Sequence, residues 1–281
     1  MIKNILLLIS VFISFSYSTE GQTYKLMTYN IRYDNPNDGE NQWSKRKEFL
    51  CNQIGFFEPD IFGIQEGLHH QVKYIDSTFS NYNFVGIGRD DGKKKGEYSA
   101  IFFNKEKFIV VKESTFWLSQ TPAKISVGWD ASMERICTYA LLKNKITKQK
   151  FWVFNTHFDH IGEVARTESA KLILNKIKRL NQNDLPVLLM GDFNLKDSSD
   201  PIRFLSKELN DSKTNCLSKP FGPIGTYNGF RFDKPVIDRI DYIFCSKSDI
   251  QINKYAVLSD SMDLKYPSDH LPVYVEIEFK K

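Results

Sequence analysis

Short apolar runs that stop abruptly at acids, amides or imidazoles recur along this chain. The clearest is Leu185-Pro186-Val187-Leu188-Leu189-Met190-Gly191-Asp192-Phe193-Asn194. Its apolar run is too short for a helix and reads as a buried strand. Gly191 is expected to end that strand and let the backbone turn closely. Asp192 and Asn194 then share one side, if the extended geometry continues. A carboxylate and an amide at the rim of a buried sheet are expensive unless they hold something polar. A plain turn capped by Asn194 has the same local signature.

The same reading gives strands over 23–29, 61–64, 83–87, 136–142, 150–156, 240–245, 250–258 and 273–279. Residues 99–104 and 108–116 look like a strand pair. Helices are expected over 45–57, capped by Ser44, over 68–79, over 163–180 and over 201–209. Residues 31–42, 86–96 and 122–134 read as loops, and 210–235 as a long polar connection. Strands outnumber helices and several pair as hairpins. That pattern predicts an α/β protein with mixed sheets covered by helices. With no short repeat and no biased linker, residues 19–281 read as one domain.

The first residues stand apart. Lys3, the apolar run 5–15 and the small residues Ser16 and Ser18 read as a secretory signal peptide over 1–18. Export is therefore expected, with the mature chain starting near Thr19. The run is short for a membrane span, no second one follows, and no cysteine near the exit suggests a lipid anchor. The formal charge of +4 falls to +3 when Lys3 is removed. Such a mild balance permits an anionic substrate without demanding nucleic acid. Cys51, Cys137, Cys216 and Cys245 are widely spaced with no CxxC pair, which argues against a cysteine zinc site. Export would permit disulfides, and Cys51 and Cys137 also fit as small buried hydrophobes. Nothing implies a stable protein partner, and a monomer is expected.

Taken together, the polar strand ends suggest one chemistry. Glu66 with Asn30 and Asp269 supplies hard oxygen ligands that suit Mg²⁺ or Mn²⁺. His270 with a nearby aspartate makes an acid–base pair. His157 and Asn194 are donors to a charged oxygen. Metal, oriented water and anion donors amount to a phosphoester hydrolysis site.

The ordered set Thr28-Tyr29-Asn30-Ile31-Arg32, Gln65-Glu66, Asn155-Thr156-His157, Gly191-Asp192-Phe193-Asn194, Arg239-Ile240-Asp241-Tyr242-Ile243 and Ser268-Asp269-His270-Leu271-Pro272-Val273 resembles the endonuclease/exonuclease/phosphatase superfamily, which includes DNase I. The resemblance implies a four-layer α/β sandwich with two central mixed β-sheets. It implies Glu66 as principal metal ligand with Asn30 and Asp269 beside it. Asp192 is implied as the residue that orients or activates water, and Asn194 as a holder of the phosphate or of Asp192. His270 paired with Asp241 is implied as the catalytic imidazole, and His157 as a second phosphate-facing histidine supported by Glu97.

Other residues keep two readings. Arg135 fits a bidentate phosphate contact or a structural ion pair. Asp159 and His160 fit the pocket lining, or roles behind it or at the surface. Asp238, three residues before Asp241, fits the start of the strand, and Trp43, Trp129 and Asp130 fit the rim. Lys93-Lys94-Lys95 fits a nucleic-acid contact or a solvated turn. The expected activity is that of an exported, metal-dependent phosphodiesterase or nuclease-like hydrolase. Its alternatives are action on small phosphorylated metabolites or phospholipid head groups, and a non-catalytic exported binding module.

Overall fold

Two six-stranded sheets carry the chain, as a computed structural model that describes residues 22–280 shows. The expected signal peptide lies outside the described residues. The first sheet contains β1 (Thr23–Asn30), β2 (Ile61–Gln65), β3 (Tyr82–Val85), β4 (Ile101–Asn104), β11 (Ile250–Val257) and β12 (Val273–Phe279). Their order is β11-β12-β1-β2-β4-β3. The second contains β5 (Phe108–Trp117), β6 (Ile136–Asn144), β7 (Lys150–His157), β8 (Val187–Asp192), β9 (Asn210–Asp211) and β10 (Asp241–Cys245), in the order β5-β6-β7-β8-β10-β9. Each sheet has one parallel pair, β1 with β2 and β7 with β8; the other pairings are antiparallel.

Helices α1 (Trp43–Phe57) and α2 (His69–Thr78) pack on the outer face of the first sheet, and α3 (Glu163–Leu180) and α4 (Asp200–Glu208) on that of the second. This is the expected four-layer sandwich. Central strands are apolar on both faces, which explains their continuous hydrophobic runs. In β8, Leu188 and Met190 enter the core between the sheets, while Val187 and Leu189 face the helices. In β10, Ile243 and Cys245 point between the sheets, and Tyr242 and Phe244 outward. Each fully buried aliphatic side chain contributes roughly 1.5–3 kcal/mol of transfer free energy.

Several local expectations change. Residues 101–104 and 108–117 are not a pair: β4 bonds β2 and β3, whereas β5 bonds β6 across the sandwich. Adjacent apolar runs record burial, and the turn at 105–107 hands the chain from one sheet to the other. Helix α1 starts at Trp43 with no side-chain cap, so Ser44 lies inside it. Trp43 is buried against Tyr74 and belongs to the core, not to a rim. The N-terminus of α3 is capped from elsewhere: Asp130 accepts from the backbone N–H groups of Val164 and Ala165. A carboxylate there also complements the helix dipole. The connection over 210–235 is tethered, bridging to β11 at Cys216 and Phe221. All four cysteines are free, and Cys51, Cys137 and Cys245 are buried.

Two glycines permit the sheets to meet. Gly191 continues β8 instead of ending it; at its φ of 147° an added Cβ would lie 2.0 Å from the Thr156 carbonyl oxygen. At Gly63 a Cβ would lie 2.7 Å from the Asn155 side chain. Through that gap Asn155 donates to the carbonyls of Ile64 and Ala100, while Gln65 donates to Asn155 and Thr28. A buried polar network, in which only Gln65 Oε1 lacks a partner, thus fixes one sheet against the other.

Candidate active site

The parallel pairs of the two sheets end at the same place. Asn30 closes β1, and its side-chain Nδ2 donates to Glu66 Oε1 at 3.0 Å and to Asp192 Oδ2 at 2.9 Å. One amide therefore ties the first sheet's acid to the second sheet's. Strand register sets the rest: Asp192 lies opposite His157 on β7 and opposite Asp241 on β10. Ser268 Oγ donates to the Asn30 carbonyl, and the Asn228 and Gly229 N–H groups donate to the Asp269 carbonyl. These bonds hold the segment that delivers Asp269 and His270. Arg32, Glu66 and Asn194 have φ values of 55°, 64° and 51°. Left-handed backbone at non-glycine residues is disfavoured and concentrates at functional sites.

These residues line a cavity of about 580 Å³. Its volume is that of a small-ligand site. On one wall His270 Nδ1 donates to Asp241 Oδ2 at 2.9 Å, and its Nε2 lies 3.8 Å from Asp192 Oδ2. Burial opposes the charged imidazole, but the Asp241 and Asp192 carboxylates outweigh it and hold its pKa well above the usual value. Tyr227 packs edge-on against this ring. Asp192 itself is pushed up to about 7, first by burial and then by Asp241.

His157 behaves oppositely. Its Nε2 lies 3.5 Å from the same Asp192 oxygen. Burial, then the positive charges of Arg135 and Arg89, hold its pKa well below the usual value. Asn194 Nδ2 donates to the Phe158 carbonyl and lies 3.1 Å from His157 Nε2. The carbonyl fixes the amide orientation, so Nε2 is the acceptor and the neutral ring carries its hydrogen on Nδ1.

The metal-side acids fit a hard cation. Glu66 and Asp269 both line the cavity, and Asp269 is pushed up to about 6 by burial, with Glu66 adding to the rise. Two oxygen-donor groups repelling one another are what Mg²⁺ or Mn²⁺ would relieve. Arg32 stands 4.0 Å from Glu66 and 3.9 Å from Asp269. Asn30 departs from the expected ligand role, because its Oδ1 accepts from the Arg32 N–H and its nitrogen faces the acids. It spaces Glu66 from Asp192 and presents no oxygen to a cation in this orientation. The ligand atoms of Asp192, Asp241 and His270 also cluster within 4.8 Å. There the imidazole supplies the positive charge, so the cluster is an ion pair in its own right.

Glu97 also departs from expectation. It grips Arg89 bidentately at 2.8 and 2.9 Å and stays 3.8 Å from His157 Nδ1. Burial pushes its pKa up to about 7 despite the Arg89 charge. Arg135 is ion-paired to Asp159 at 3.3 Å, which is its structural reading, and it also lines the cavity. Asp159 is buried, not superficial, while the exposed His160 lines the cavity. Asp238 pairs with Lys196 away from the cavity, and β10 begins at Asp241. Lys93, Lys94 and Lys95 form an exposed turn outside the cavity lining. Arg89, Tyr33 and Tyr227 line the cavity and carry no sequence signal, since each is a lone residue in an irregular segment.

A larger cavity of about 730 Å³ opens at the other ends of the strands, around Asp60. Asp60 is already satisfied there by the Lys25 N–H and Lys107. The unpaired groups and perturbed acids lie in the smaller cavity, which is the candidate site.

Comparison with known proteins agrees with this geometry. The sequence profile described as Endonuclease/Exonuclease/phosphatase family matches residues 27–270. A mannosyl-6-phosphatase from Bacteroides thetaiotaomicron VPI-5482 is 40% identical, with a TM-score of 0.87, over 91% of this chain and 100% of that one. An endonuclease/exonuclease/phosphatase family protein from Bacteroides thetaiotaomicron is 38% identical, with a TM-score of 0.88, over 93% and 100% of the two chains. A protein of Acanthamoeba polyphaga mimivirus is 29% identical over 265 residues, covering 84% of this chain and 92% of its own. The chain belongs to the endonuclease/exonuclease/phosphatase family, whose fold it shares.

Proposed function

We propose that the protein is an exported, divalent-metal-dependent hydrolase of phosphoester bonds in small polar molecules, with sugar phosphates as the first class to test. The observation that carries this reading is the cavity of about 580 Å³, in which His157, Asn194, His270 and three arginines face the acids Glu66, Asp192 and Asp269. The similarity to a mannosyl-6-phosphatase supports the sugar phosphate class. A nucleic-acid enzyme calls for a basic track leading away from the centre, and the Lys93–Lys95 turn stands outside the cavity lining.

Glu66 and Asp269 would hold the cation, which when bound supplies Lewis-acid charge to phosphoryl oxygens. The chain's own groups account for the remainder. Asp192 Oδ2, flanked by both histidines, accepts the proton of the attacking water. His270, kept positive by Asp241, stabilises charge on the oxygens of the transition state. Asn194 is fixed by the Phe158 carbonyl and by the bond from its N–H to Asp192 Oδ1, and so holds Asp192 in orientation.

The test is a panel of mannose 6-phosphate, other sugar phosphates, a nitrophenyl monoester and diester, plasmid DNA and RNA, with Mg²⁺ and with Mn²⁺. Sugar phosphate hydrolysis that vanishes in EDTA and in Glu66→Gln is expected. Faster turnover of nucleic acid, falling steeply with salt, overturns the substrate class.

A further inference from the structure

Three arginines line the cavity, and they differ in how their charge is met. Arg32 is held by both oxygens of Asp38, at 3.0 Å each. Arg89 is held by both oxygens of Glu97. Arg135 has no such fork. Its Nε makes one long bond of 3.3 Å to Asp159 Oδ2. Its Nη2 donates at 2.9 Å to His160 Nδ1, a neutral acceptor. Nη1 is the nitrogen left over. The residue is only 4% exposed, and Nη1, which is not among the fully buried unpaired atoms, shares in that exposure.

Asp159 does not need this arginine. Oδ2 already accepts from the Ser132 N–H and hydroxyl, and Oδ1 from the N–H groups of Ile161 and Gly162. Four donors are enough to satisfy one carboxylate. Arg135 is therefore a buried cation with partial compensation, beside a second cation, Arg89. Burial of that kind is costly unless an anion arrives. His160 points to the same ligand. A guanidinium only donates, so Nδ1 accepts and the hydrogen of this cavity-lining ring is on Nε2. With His157 neutral, this wall offers donors and positive charge and no acid free of a partner.

We propose that Arg135, assisted by His160, is the specificity-determining group that makes this site select a terminal, dianionic phosphate over a phosphodiester. This rests on the functional reading above. A monoester near neutral pH carries one more negative charge than a diester and an additional unsubstituted oxygen. One charge-assisted hydrogen bond to that oxygen is worth about 10- to 150-fold in selectivity.

The test compares 4-nitrophenyl phosphate with methyl 4-nitrophenyl phosphate, which share a leaving group. Arg135→Met should lose kcat/KM on the monoester at least about tenfold more than on the diester, Arg135→Lys should recover part of that ratio, and His160→Ala should shift it less in the same direction. Asp159 keeps its four donors in each variant, and circular dichroism monitors folding. A purely structural role lowers both substrates alike, and equal losses or an unchanged ratio overturn the proposal. Calorimetric binding of inorganic phosphate and dimethyl phosphate at pH 8 supplies a readout without turnover. The native protein should prefer inorganic phosphate and Arg135→Met should lose that preference; equal preference in both proteins overturns the proposal. Absence of all hydrolysis by the native protein overturns the functional reading instead, and the binding arm still decides the role of Arg135.

Discussion

His157 and His270 stand 3.5 and 3.8 Å from one oxygen of Asp192, yet their surroundings hold them in opposite states of charge. His270 faces acids, with Asp241 bonded to its Nδ1. His157 faces Arg135 and Arg89, and no partner reaches its buried Nδ1. Both are buried to a similar extent, so desolvation does not separate them. The neighbouring charges do. One imidazole can act as a cation and the other as a neutral group, and only the first offers Asp192 a hydrogen. Two histidines of the same residue type and depth are thus different reagents.

Removing each histidine should expose that asymmetry most strongly. His270→Ala is expected to lower kcat by about 10³-fold or more, and His157→Ala by about 10- to 100-fold, in a metal-supplemented phosphatase assay. Equal losses would break the comparison. Next in size is the arginine side. Glu97→Ala leaves Arg89 without its fork and should destabilise the fold by about 3 kcal/mol in urea unfolding. Both side chains keep some exposure, which places the effect at the low end of the range for a broken buried pair.

A subtler effect concerns pH. Turnover needs Asp192 ionised and His270 protonated. It should therefore rise with pH through about 7 and fall at high pH as His270 loses its proton. Asp241→Asn removes the main group that raises the His270 pKa, so the alkaline limb should move to lower pH. A pH–rate profile with that limb unmoved would deny Asp241 its role. Smallest of all, replacing Lys93, Lys94 and Lys95 together by alanine should change sugar phosphate turnover by less than about twofold, since an exposed turn outside the cavity makes no contact with a small substrate.

The two walls also differ in how far a sequence exposes them. Glu66, Asp192, Asp241 and His270 follow or precede buried strands, so hydrophobic patterning places them at sheet ends and the ordered motifs group them. The strands themselves are legible for the same reason. Arg89 lies in an irregular loop with no periodicity, and its bond to Glu97 depends on how residues 86–100 fold back. Which sheet receives β5 is equally hidden, because its edge position makes its burial irregular and alternation does not name a partner. Asn30 is easy to find and hard to assign, since an amide offers an oxygen or a nitrogen and only its neighbours decide which.

The strand order has a consequence for how the protein is made. β12 lies between β11 and β1, although β1 is the first and β12 the last strand of the described residues. Until residues 273–279 are made, β1 presents an unpaired edge, a ready template for association with another chain. Residues 108–245, which form the whole second sheet, can already bring His157, Asp192 and Asp241 together. Asp269 and His270 arrive immediately ahead of the strand that closes the edge. Closure of the first sheet and completion of the site are therefore one late folding event, and a chain that stalls before it is both catalytically silent and prone to aggregate.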